Sequence, residues 1–515
     1  LSDLVRDVVN GALETARAEK KIGKSLEAKI VLTVPAEDAF LAEMDQADLA
    51  DLLIVSQVEV TVGQAIQATV ENELDAKKAL EELAQKECNA LVMYLGNFGP
   101  EGPETLVAQH FDGPVMFVAA AEEDIAVLAS SRGDAYCGLL NASYNLGIRG
   151  VKAFIPEEPV GMPEELAAVI QDEFLPVACA LIGVKKLKIF GFGPRPTDFV
   201  ACNAPIAPLF DLGVEIQENS ELDLFMSFNA HENDPRIPEV VKDMEAELGD
   251  GNKMPEILPK LAQYELTLLD WVENNRGMSE YVAIAGKCWP AFQEAFGFVP
   301  CYVNSRLTGR GIPVSCEVDI YGALSEFIAQ CVTGQSVTLL DINNTVPKEM
   351  YQKHIQQQTG LAGDEVFMGF HCGNTCKERL VNAEMKYQLI MNRNLENGGE
   401  PVITRGTIEG AIAPSDITLF RLQGDARCVL RGYVAEGSVL DVDPCSFGGI
   451  GVIAIPEMRR FYRHVLVAGR FPHHGVLAFE KAGKNLYTVL SLLGAKADFN
   501  RPKTMLYEGE NPFSL

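Results

Sequence analysis

The chain lacks long hydrophobic runs and is poor in basic residues. No stretch of its 515 residues reaches the roughly 18 or more uninterrupted apolar residues that span a bilayer. Lys and Arg number 43 against 72 Asp and Glu, which gives a formal net charge of −29. Such an acidic chain is repelled by phosphate groups, so neither nucleic acid nor a membrane is expected as its main partner.

The cysteines do not form the dense pattern of a small secreted protein. Twelve of them are scattered through strand-like and helix-like segments. This usage is typical of buried thiols in a reducing compartment, and no secretory signal pattern is visible. We therefore expect a cytoplasmic location.

The length and the hydrophobic pattern predict an α/β protein of about three domains. From about Glu71, amphipathic helices such as "LDAKKALEELAQKEC" alternate with apolar strands such as "NALVMYLGNFG". The Pro- and acid-rich "PEEPVGMPEEL" favours a domain boundary, and a second alternating block runs through "SVTLLDINN". After about residue 395, short strands are separated by turn residues. The prediction is two Rossmann-like α/β domains with parallel sheets, followed by a β-rich C-terminal domain. The predicted segments are 1–62, 63–160, 161–350 and 351–515.

Acidic residues follow apolar runs at two places. Glu317 and Asp319 lie in "SCEVDIYGALSEF", and Asp341 lies in "VTLLDINNT", 24 positions after Glu317. Carboxylates are rarely fully buried without a partner or a metal. Asp319 would point away from Glu317 in an extended segment, whereas in a helical turn it would cap the helix or orient a neighbour. Only Glu317 and Asp341 are therefore taken as site candidates.

Three of the seven histidines lie in two glycine-flanked segments. His371 is in "MGFHCGNTC", and His473 and His474 are in "RFPHHGVLAF". Two carboxylates with one or two imidazoles suit Mn²⁺, Co²⁺ or Mg²⁺ better than a thiolate-preferring metal. Each residue also has a structural interpretation, as a helix cap or a hydrogen-bonded histidine. Cys372 and Cys376 have no second cysteine pair nearby, so zinc is only weakly indicated.

The motifs "CEVDIYGAL", "LLDINN", "FHCGNT" and "FPHHG", in this order, resemble those of the L-fucose/L-arabinose isomerase family. The segment "GFGPRPTDF" is similar to fucose-isomerase-like proteins, and the resemblance covers about residues 65–515. It implies a metal-dependent aldose–ketose isomerase acting on an open-chain sugar such as L-fucose, L-arabinose or a related deoxy or sulfonated sugar. It also implies a homo-oligomer, in this family a hexamer, and Mn²⁺ as the metal.

The resemblance also implies roles for individual residues. Glu317, Asp341 and one of His473 or His474 would bind the metal, with His474 preferred and His371 as an additional ligand. Glu317 and Asp341 would be the catalytic acid and base, in an order that the sequence leaves open. Candidate sugar contacts, each of which is equally compatible with a structural role, are Arg306, Arg310, Trp289, Asn343 and Asn374.

The first 62 residues have a different character. The segments "ETARAEKKIGKSLEAKI" and "LADLLIVSQVEV" resemble the C-terminal region of isoleucyl-tRNA synthetases, whereas neither synthetase signature, HIGH or KMSKS, occurs in the chain. This region carries 6 basic and 12 acidic residues, which disfavours tRNA binding. It is predicted to be a fused, synthetase-like fragment.

Two alternative functions compete with the isomerase interpretation. A dinucleotide-binding protein would rest on "KIFGFGPRP", where Gly191 and Gly193 follow a strand, but a proline comes next and the third glycine of the fingerprint is missing. A non-catalytic sugar-binding protein could retain the isomerase fold, although a pure binder has no need of paired acids and a metal.

Overall fold

The computed structural model describes residues 29–34 and 57–62 by their backbone, together with residues 69–394, 398 and 400–501. The chain forms two compact units, Leu1–Val70 and Glu71–Leu515. In the first unit, β1 (Lys29–Val34) and β2 (Gln57–Val62) pair in parallel, within the strand-like segments "EAKIVLTV" and "LLIVSQVEVTV". The apolar spacing of "SDLVRDVVNGALETARAEKKIG" and "EDAFLAEMDQADLA" predicts two helices in this unit, and both segments lie outside the described residues.

The second unit begins with a parallel sheet of order β3-β4-β5. Its most buried strand, "VMFVAA", is continuously apolar, as a strand covered on both faces must be. The first helix of this unit, which begins at Glu73, is capped by Asn72. The Asn72 side chain accepts hydrogen bonds from two backbone amides of the first turn. The elements are α1 (Glu73–Gln85), β3 (Leu91–Leu95), α2 (Glu101–His110), β4 (Val115–Ala120), α3 (Ile125–Ser130), α4 (Ala135–Arg149) and β5 (Val160–Gly161).

A second parallel sheet has the order β7-β6-β8-β9. The carboxyl ends of its strands share one edge, where loops can meet. The elements of this region are α5 (Pro163–Val169), α6 (Leu175–Lys185), β6 (Leu187–Gly193), α7 (Ala207–Asp211), β7 (Glu215–Ser220), α8 (Glu221–Ala230), α9 (Ile237–Leu248), α10 (Leu258–Asn275), β8 (Tyr281–Ala285), α11 (Phe292–Phe296), α12 (Cys301–Gly309), β9 (Val314–Ser315) and α13 (Ile320–Thr333).

Helices α5 and α6 are joined by a π-helical turn into one helix, Pro163–Lys185. Among the described residues, this is the one helix that is long and apolar enough to cross a membrane by length and composition alone. Val177, Ala178 and Val184 on this helix are buried in a core cluster that also contains residues of α13. The helix therefore contributes apolar residues to the core.

The C-terminal region is a mixed sheet of order β12-β13-β16-β11-β10-β17-β14-β15-β18. It confirms the predicted sequence of two parallel α/β sheets followed by a β-rich region. Strand β10 precedes the boundary predicted at residue 350, yet it pairs within this sheet. The elements are β10 (Val337–Thr345), α14 (Lys348–Met350), α15 (Gln356–Thr359), β11 (Val366–His371), β12 (Leu380–Tyr387), β13 (Arg405–Ile412), β14 (Ser415–Gly424), β15 (Leu430–Val439), β16 (Gly449–Ala454), α16 (Met458–Phe461), β17 (His474–Ala478), α17 (Gly483–Leu492) and β18 (Lys496–Asn500).

A buried ion-pair network joins helices α9, α10 and α12. The Arg306 guanidinium in α12 donates through Nε to Glu265 Oε2 of α10 at 2.7 Å, and its two Nη atoms contact Glu247 and Asp243 of α9. Arg310 is half-exposed and reaches Asp243 Oδ2 at 2.7 Å. The structure therefore uses the charges of both arginines to hold helices together.

Removing Arg306 is expected to destabilise the protein far more than removing Arg310. Arg306→Met leaves the Glu265 carboxylate buried without its main partner, a loss of about 3–5 kcal/mol in the free energy of unfolding. Arg310→Met removes a half-exposed pair and costs about 1 kcal/mol or less. Denaturant unfolding of the two variants measures the difference, and equal losses would contradict the structural role assigned to Arg306.

Candidate metal centre

Four predicted site residues converge from four different elements. Glu317 lies in the turn between β9 and α13, and Asp341 lies in β10. His371 ends β11 and His474 begins β17. Because β10 pairs with both β11 and β17, Asp341 stands opposite His474 across one ladder. Three adjacent strands of the nine-stranded sheet and the turn after β9 therefore bring these acidic and imidazole side chains to one place.

The separations among these groups suit a shared cation. His474 Nε2 is 3.3 Å from Glu317 Oε2 and 3.5 Å from Asp341 Oδ1. Asp341, His371 and His474 each offer a ligand atom, and these atoms lie within 4.8 Å of one another. The rings of His371 and His474 are 6.2 Å apart between centroids. Oxygen and imidazole ligands at these separations match the preferences of Mn²⁺ and similar ions.

Two atoms of the cluster show that the donor set fits a metal. Glu317 Oε2 and His474 Nε2 are buried, and neither has a hydrogen-bond partner among the described residues. Unpaired buried polar atoms are rare because each one costs free energy. A divalent cation held by Glu317, Asp341, His474 and His371 would satisfy both atoms.

Asp319 orients His474 from behind. Its Oδ2 accepts a hydrogen bond from His474 Nδ1 at 2.8 Å, and its two oxygens accept from the Arg421 guanidinium at 2.7 and 2.9 Å. Its Oδ1 also caps α13 by accepting from the Gly322 amide at 2.9 Å. A proton held on Nδ1 leaves the Nε2 lone pair free for a metal. The sequence analysis keeps Asp319 out of the site but expects it, in a helical turn, to cap the helix or orient a neighbour, and the contacts confirm this alternative.

The electrostatics of the cluster favour positive charge at His474 Nε2. Burial raises the pKa of Glu317, but the imidazoles of His474, His371 and His473 outweigh it and hold that pKa at about 2. Burial lowers the pKa of His474, but Asp319, Cys202 and Glu317 raise it well above its ordinary value. Carboxylates that stabilise an imidazolium this strongly would also stabilise a metal cation.

His371 and Asp341 have perturbed pKa values as well. Burial lowers the pKa of His371, but Cys372 and the two site carboxylates outweigh it and raise it to about 9. Burial raises the pKa of Asp341, and the three nearby imidazoles oppose that shift. Groups with strongly perturbed titration gathered in one place are typical of functional sites.

The turn that carries Glu317 has an unusual backbone. Glu317 and Val318 both adopt positive φ angles, 52° and 57°. Left-handed conformations are uncommon for residues other than glycine and are least favourable for β-branched side chains such as valine. Two in succession turn the chain sharply, so that Glu317 faces His474 while Asp319 starts the helix. Such strained backbone is often found at functional sites.

The geometry favours His474 over His473 as the ligand. His473 Nε2 is 3.6 Å from Asp341 Oδ1, but its side chain is 36 % exposed and no ion-pair contact joins it to Glu317. Burial and the neighbouring His474 lower its pKa. Its ring meets Phe199 edge-on at 5.2 Å. The contacts therefore place His473 at the border of the cluster.

The five residues predicted to contact the sugar differ in their surroundings and in their relation to the candidate metal ligands. Trp289 is buried, and its ring lies 5.5 Å from Phe199, which in turn borders His473. Asn343 follows Asp341 in β10 and lines a cavity of about 710 Å³. Asn374 is buried, and its Nδ2 has no hydrogen-bond partner among the described residues. Arg306 and Arg310 contact none of the four candidate ligands in the described part of the chain.

The cysteines near the site do not form the weakly indicated zinc motif. Cys372 Sγ lies 3.9 Å from Cys301 Sγ and accepts from Gln388 Nε2 at 3.2 Å. Cys376 instead donates to Ser336 Oγ at 3.3 Å. Cys372 and Cys376 therefore have different surroundings, and both carry free thiols.

Two carboxylates and two imidazoles meet where three central strands of the large sheet face the turn after β9, and two of their buried atoms lack a hydrogen bond. This is an α/β protein with a candidate divalent-metal centre. Two family models then match the chain. "Fucose/sulfoquinovose isomerase, N-terminal domain" matches residues 31–185, and "L-fucose isomerase, C-terminal domain" matches residues 369–500. The chain belongs to the fucose isomerase family, as its motifs predict. The match begins at residue 31, upstream of the expected residue 65.

Individual relatives agree with this assignment over part of their length. A sulfoquinovose isomerase of Clostridium sp. (strain MSTE9) is 28% identical over 204 residues, 38% of this chain and 39% of the relative. One from Alkalicoccus urumqiensis is 25% identical over 303 residues, 57% of this chain and 60% of the relative. The chain thus covers less than two thirds of these relatives.

The similarity to isoleucyl-tRNA synthetases is also confirmed. The isoleucine–tRNA ligase of Latilactobacillus sakei is 52% identical over 68 residues, which is 13% of this chain and 7% of the ligase. The similarity therefore covers only a small fragment of the ligase.

Asp319→Asn is expected to weaken metal binding by about 10–100-fold, the usual effect of removing a group that orients a metal-binding histidine. The amide can donate to Nδ1, which moves the imidazole proton to Nε2. Titration of the purified protein with Mn²⁺ measures the change. Asp416→Asn removes an exposed acid paired with Lys481 at 3.3 Å and should leave the affinity unchanged. Equal affinities of the wild type and Asp319→Asn would contradict the orienting role.

The buried Glu326 carboxyl group, which is close enough to Asp319 to be affected by its charge, should make the stability of the protein depend on pH. Burial, with the Asp319 carboxylate adding to it, raises the pKa of Glu326 from 4.5 to about 8. Between these values the folded state keeps a proton that the unfolded state has lost, so stability falls as the pH rises through this window. Glu326→Gln should match the wild-type Tm at pH 4.5 and exceed it above pH 8. An identical pH dependence of the two Tm values would overturn this assignment.

Proposed function

We propose that the protein is a metal-dependent aldose–ketose isomerase acting on an open-chain sugar such as L-fucose, L-arabinose or a related deoxy or sulfonated sugar, with Mn²⁺ as its metal. The observation that carries this proposal is a pair of buried atoms without a hydrogen bond, Glu317 Oε2 and His474 Nε2, which face each other at 3.3 Å beside Asp341. Membership of the fucose isomerase family and the names of the sulfoquinovose isomerase relatives support it.

The proposed reaction moves one proton between C2 and C1 and another between the neighbouring oxygens. Glu317 and Asp341 are the two groups that can accept and return these protons as general base and acid. Glu317, Asp341, His474 and His371 would hold a divalent cation, which would supply positive charge beside the sugar oxygens. The two carboxylates reach the centre from different elements, a turn and a strand, so each can approach a different part of a bound sugar.

The surroundings of the centre suit a reaction that water would disturb. Phe199 packs edge-on against Trp289 and against His473, and its ring lies 6.4 Å from that of His474, so aromatic rings border the centre on its histidine side. An apolar border lowers the local dielectric and strengthens the electrostatic interactions of the site. The same rings offer flat apolar surfaces against which the carbon chain of a sugar can pack.

An aldose panel tests this function directly. The purified protein, first treated with a chelator, is incubated with L-fucose, L-arabinose and sulfoquinovose, with and without added Mn²⁺, and ketose formation is followed. Turnover that depends on Mn²⁺ is the expected result. Absence of turnover with every aldose, in a protein shown to bind Mn²⁺, would contradict the proposal.

Neutralising either carboxylate should remove activity without unfolding the protein. Glu317→Gln and Asp341→Asn each delete a proton acceptor and a metal ligand, so turnover is expected to fall by at least about 10²-fold, with weaker Mn²⁺ binding. Glu280→Gln removes a half-exposed acid paired with Lys186 and serves as the control. Near-normal turnover in either site variant, with a wild-type circular dichroism spectrum, would remove that residue from the mechanism.

A further inference from the structure

Three cysteine thiols surround one buried amide beside the candidate metal centre. The Gln388 side chain is buried. Its Nε2 donates to Cys372 Sγ at 3.2 Å, to Cys288 Sγ at 3.3 Å and to Cys301 Sγ at 3.7 Å. Cys288 follows β8, Cys301 begins α12 and Cys372 follows β11, so these cysteines come from distant parts of the chain. The tertiary fold, rather than a local motif, therefore brings the three thiols together.

Cys301 and Cys372 lie close enough to react with each other. Their Sγ atoms are 3.9 Å apart. A disulfide bond holds two sulfurs at about 2.05 Å, so each of them has to move by roughly 1 Å. The backbone is close as well, because a methyl group placed on Gly373, the residue after Cys372, would lie 2.9 Å from Cys301 Cβ. The two side chains thus start from adjacent stretches of backbone, as a disulfide requires.

The two thiols differ in their access to solvent. Cys301 is only 4 % exposed, whereas Cys372 is partly exposed. A small oxidant that enters from solvent therefore reaches Cys372 first, and Cys301 waits behind it as the second thiol. An accessible cysteine next to a second, resolving cysteine is typical of redox-responsive sites. In a reducing compartment, disulfides of this kind are transient rather than structural.

Cys372 is directly connected to a candidate metal ligand. His371 is the preceding residue, and its Nδ1 lies 3.8 Å from Cys372 Sγ. The ligand atoms of His371, Asp341 and His474 in turn lie within 4.8 Å of one another. A movement of Cys372 toward α12 therefore acts on His371 through the shared backbone and through this side-chain contact.

We propose that a peroxide converts Cys301 and Cys372 into a reversible disulfide, and that this bond weakens metal binding at the centre that contains His371. The effect on metal binding rests on the proposed function. As the peroxide O–O bond breaks, one oxygen is transferred to Cys372 Sγ and the other leaves as water. Cys301 Sγ then attacks Cys372 Sγ, the S–O bond breaks and a second water leaves. Two thiols and one H₂O₂ thus give one disulfide and two waters, with two electrons passing from sulfur to oxygen.

Peptide mapping of the purified full chain tests the bond itself. The reduced wild type, Cys301→Ser and Cys376→Ser are treated with hydrogen peroxide, their remaining thiols are alkylated, and each protein is digested without a reductant. The wild type should yield a peptide that links Cys301 to Cys372 and that dithiothreitol separates, whereas Cys301→Ser should yield none. Cys376→Ser replaces a nearby buried thiol, which donates to Ser336, and should behave like the wild type.

Titration of the same samples with Mn²⁺ measures the effect on the metal centre. Oxidation of the wild type should raise the Kd for Mn²⁺ by at least about tenfold, as displacement of groups around a metal-binding histidine does, and dithiothreitol should restore it. An oxidised wild type without the linked peptide, or with Cys288 linked instead of Cys301, overturns the inference. A linked wild type with an unchanged Kd overturns the coupling to the metal. If the reduced protein binds no Mn²⁺, the proposed metal-dependent function fails, while the peptide map still decides whether the disulfide forms.

Discussion

The centre depends on one buried carboxylate, that of Asp319. It accepts hydrogen bonds from a metal-facing imidazole, from a fully buried guanidinium and from the first turn of a helix. These contacts join α13, β14 and β17, so one side chain fixes both the start of a helix and the orientation of His474. Burying an acid of this kind is unfavourable unless every lone pair is used. Arg421 and His474 supply the compensating donors, which explains why two large polar side chains can lie inside the apolar core.

The sequence predicts the parts of this site that local patterns encode. Glu317 and Asp341 follow apolar runs, and His371, His473 and His474 lie in glycine-flanked segments, so residue type and neighbourhood make them candidates, while their roles come from the family resemblance. The parallel sheets follow from the alternation of amphipathic helices and apolar strands. Each of these features depends on residues close together in the chain.

Other features depend on contacts between distant parts of the chain. Asp319 was set aside because an extended segment would turn it away from Glu317, whereas two left-handed residues and a helix start bring both acids to His474 from different sides. Arg306 was a candidate for sugar binding because its sequence shows a charge but not the acids on α9 and α10 that neutralise it. Strand β10 looks like the end of a βα unit, and only its partners β11 and β17 place it in the large sheet.

The candidate ligands are divided between two sheets. Glu317 follows the last strand of the four-stranded sheet, whereas Asp341, His371 and His474 belong to the nine-stranded one. An ion bound by all four would act as a cross-link between separately built layers, much as a disulfide joins distant segments. Its binding free energy would then count toward folding, because the unfolded chain cannot assemble the same ligands. Supply of the metal would thereby influence how long the folded protein persists, in addition to how fast it works.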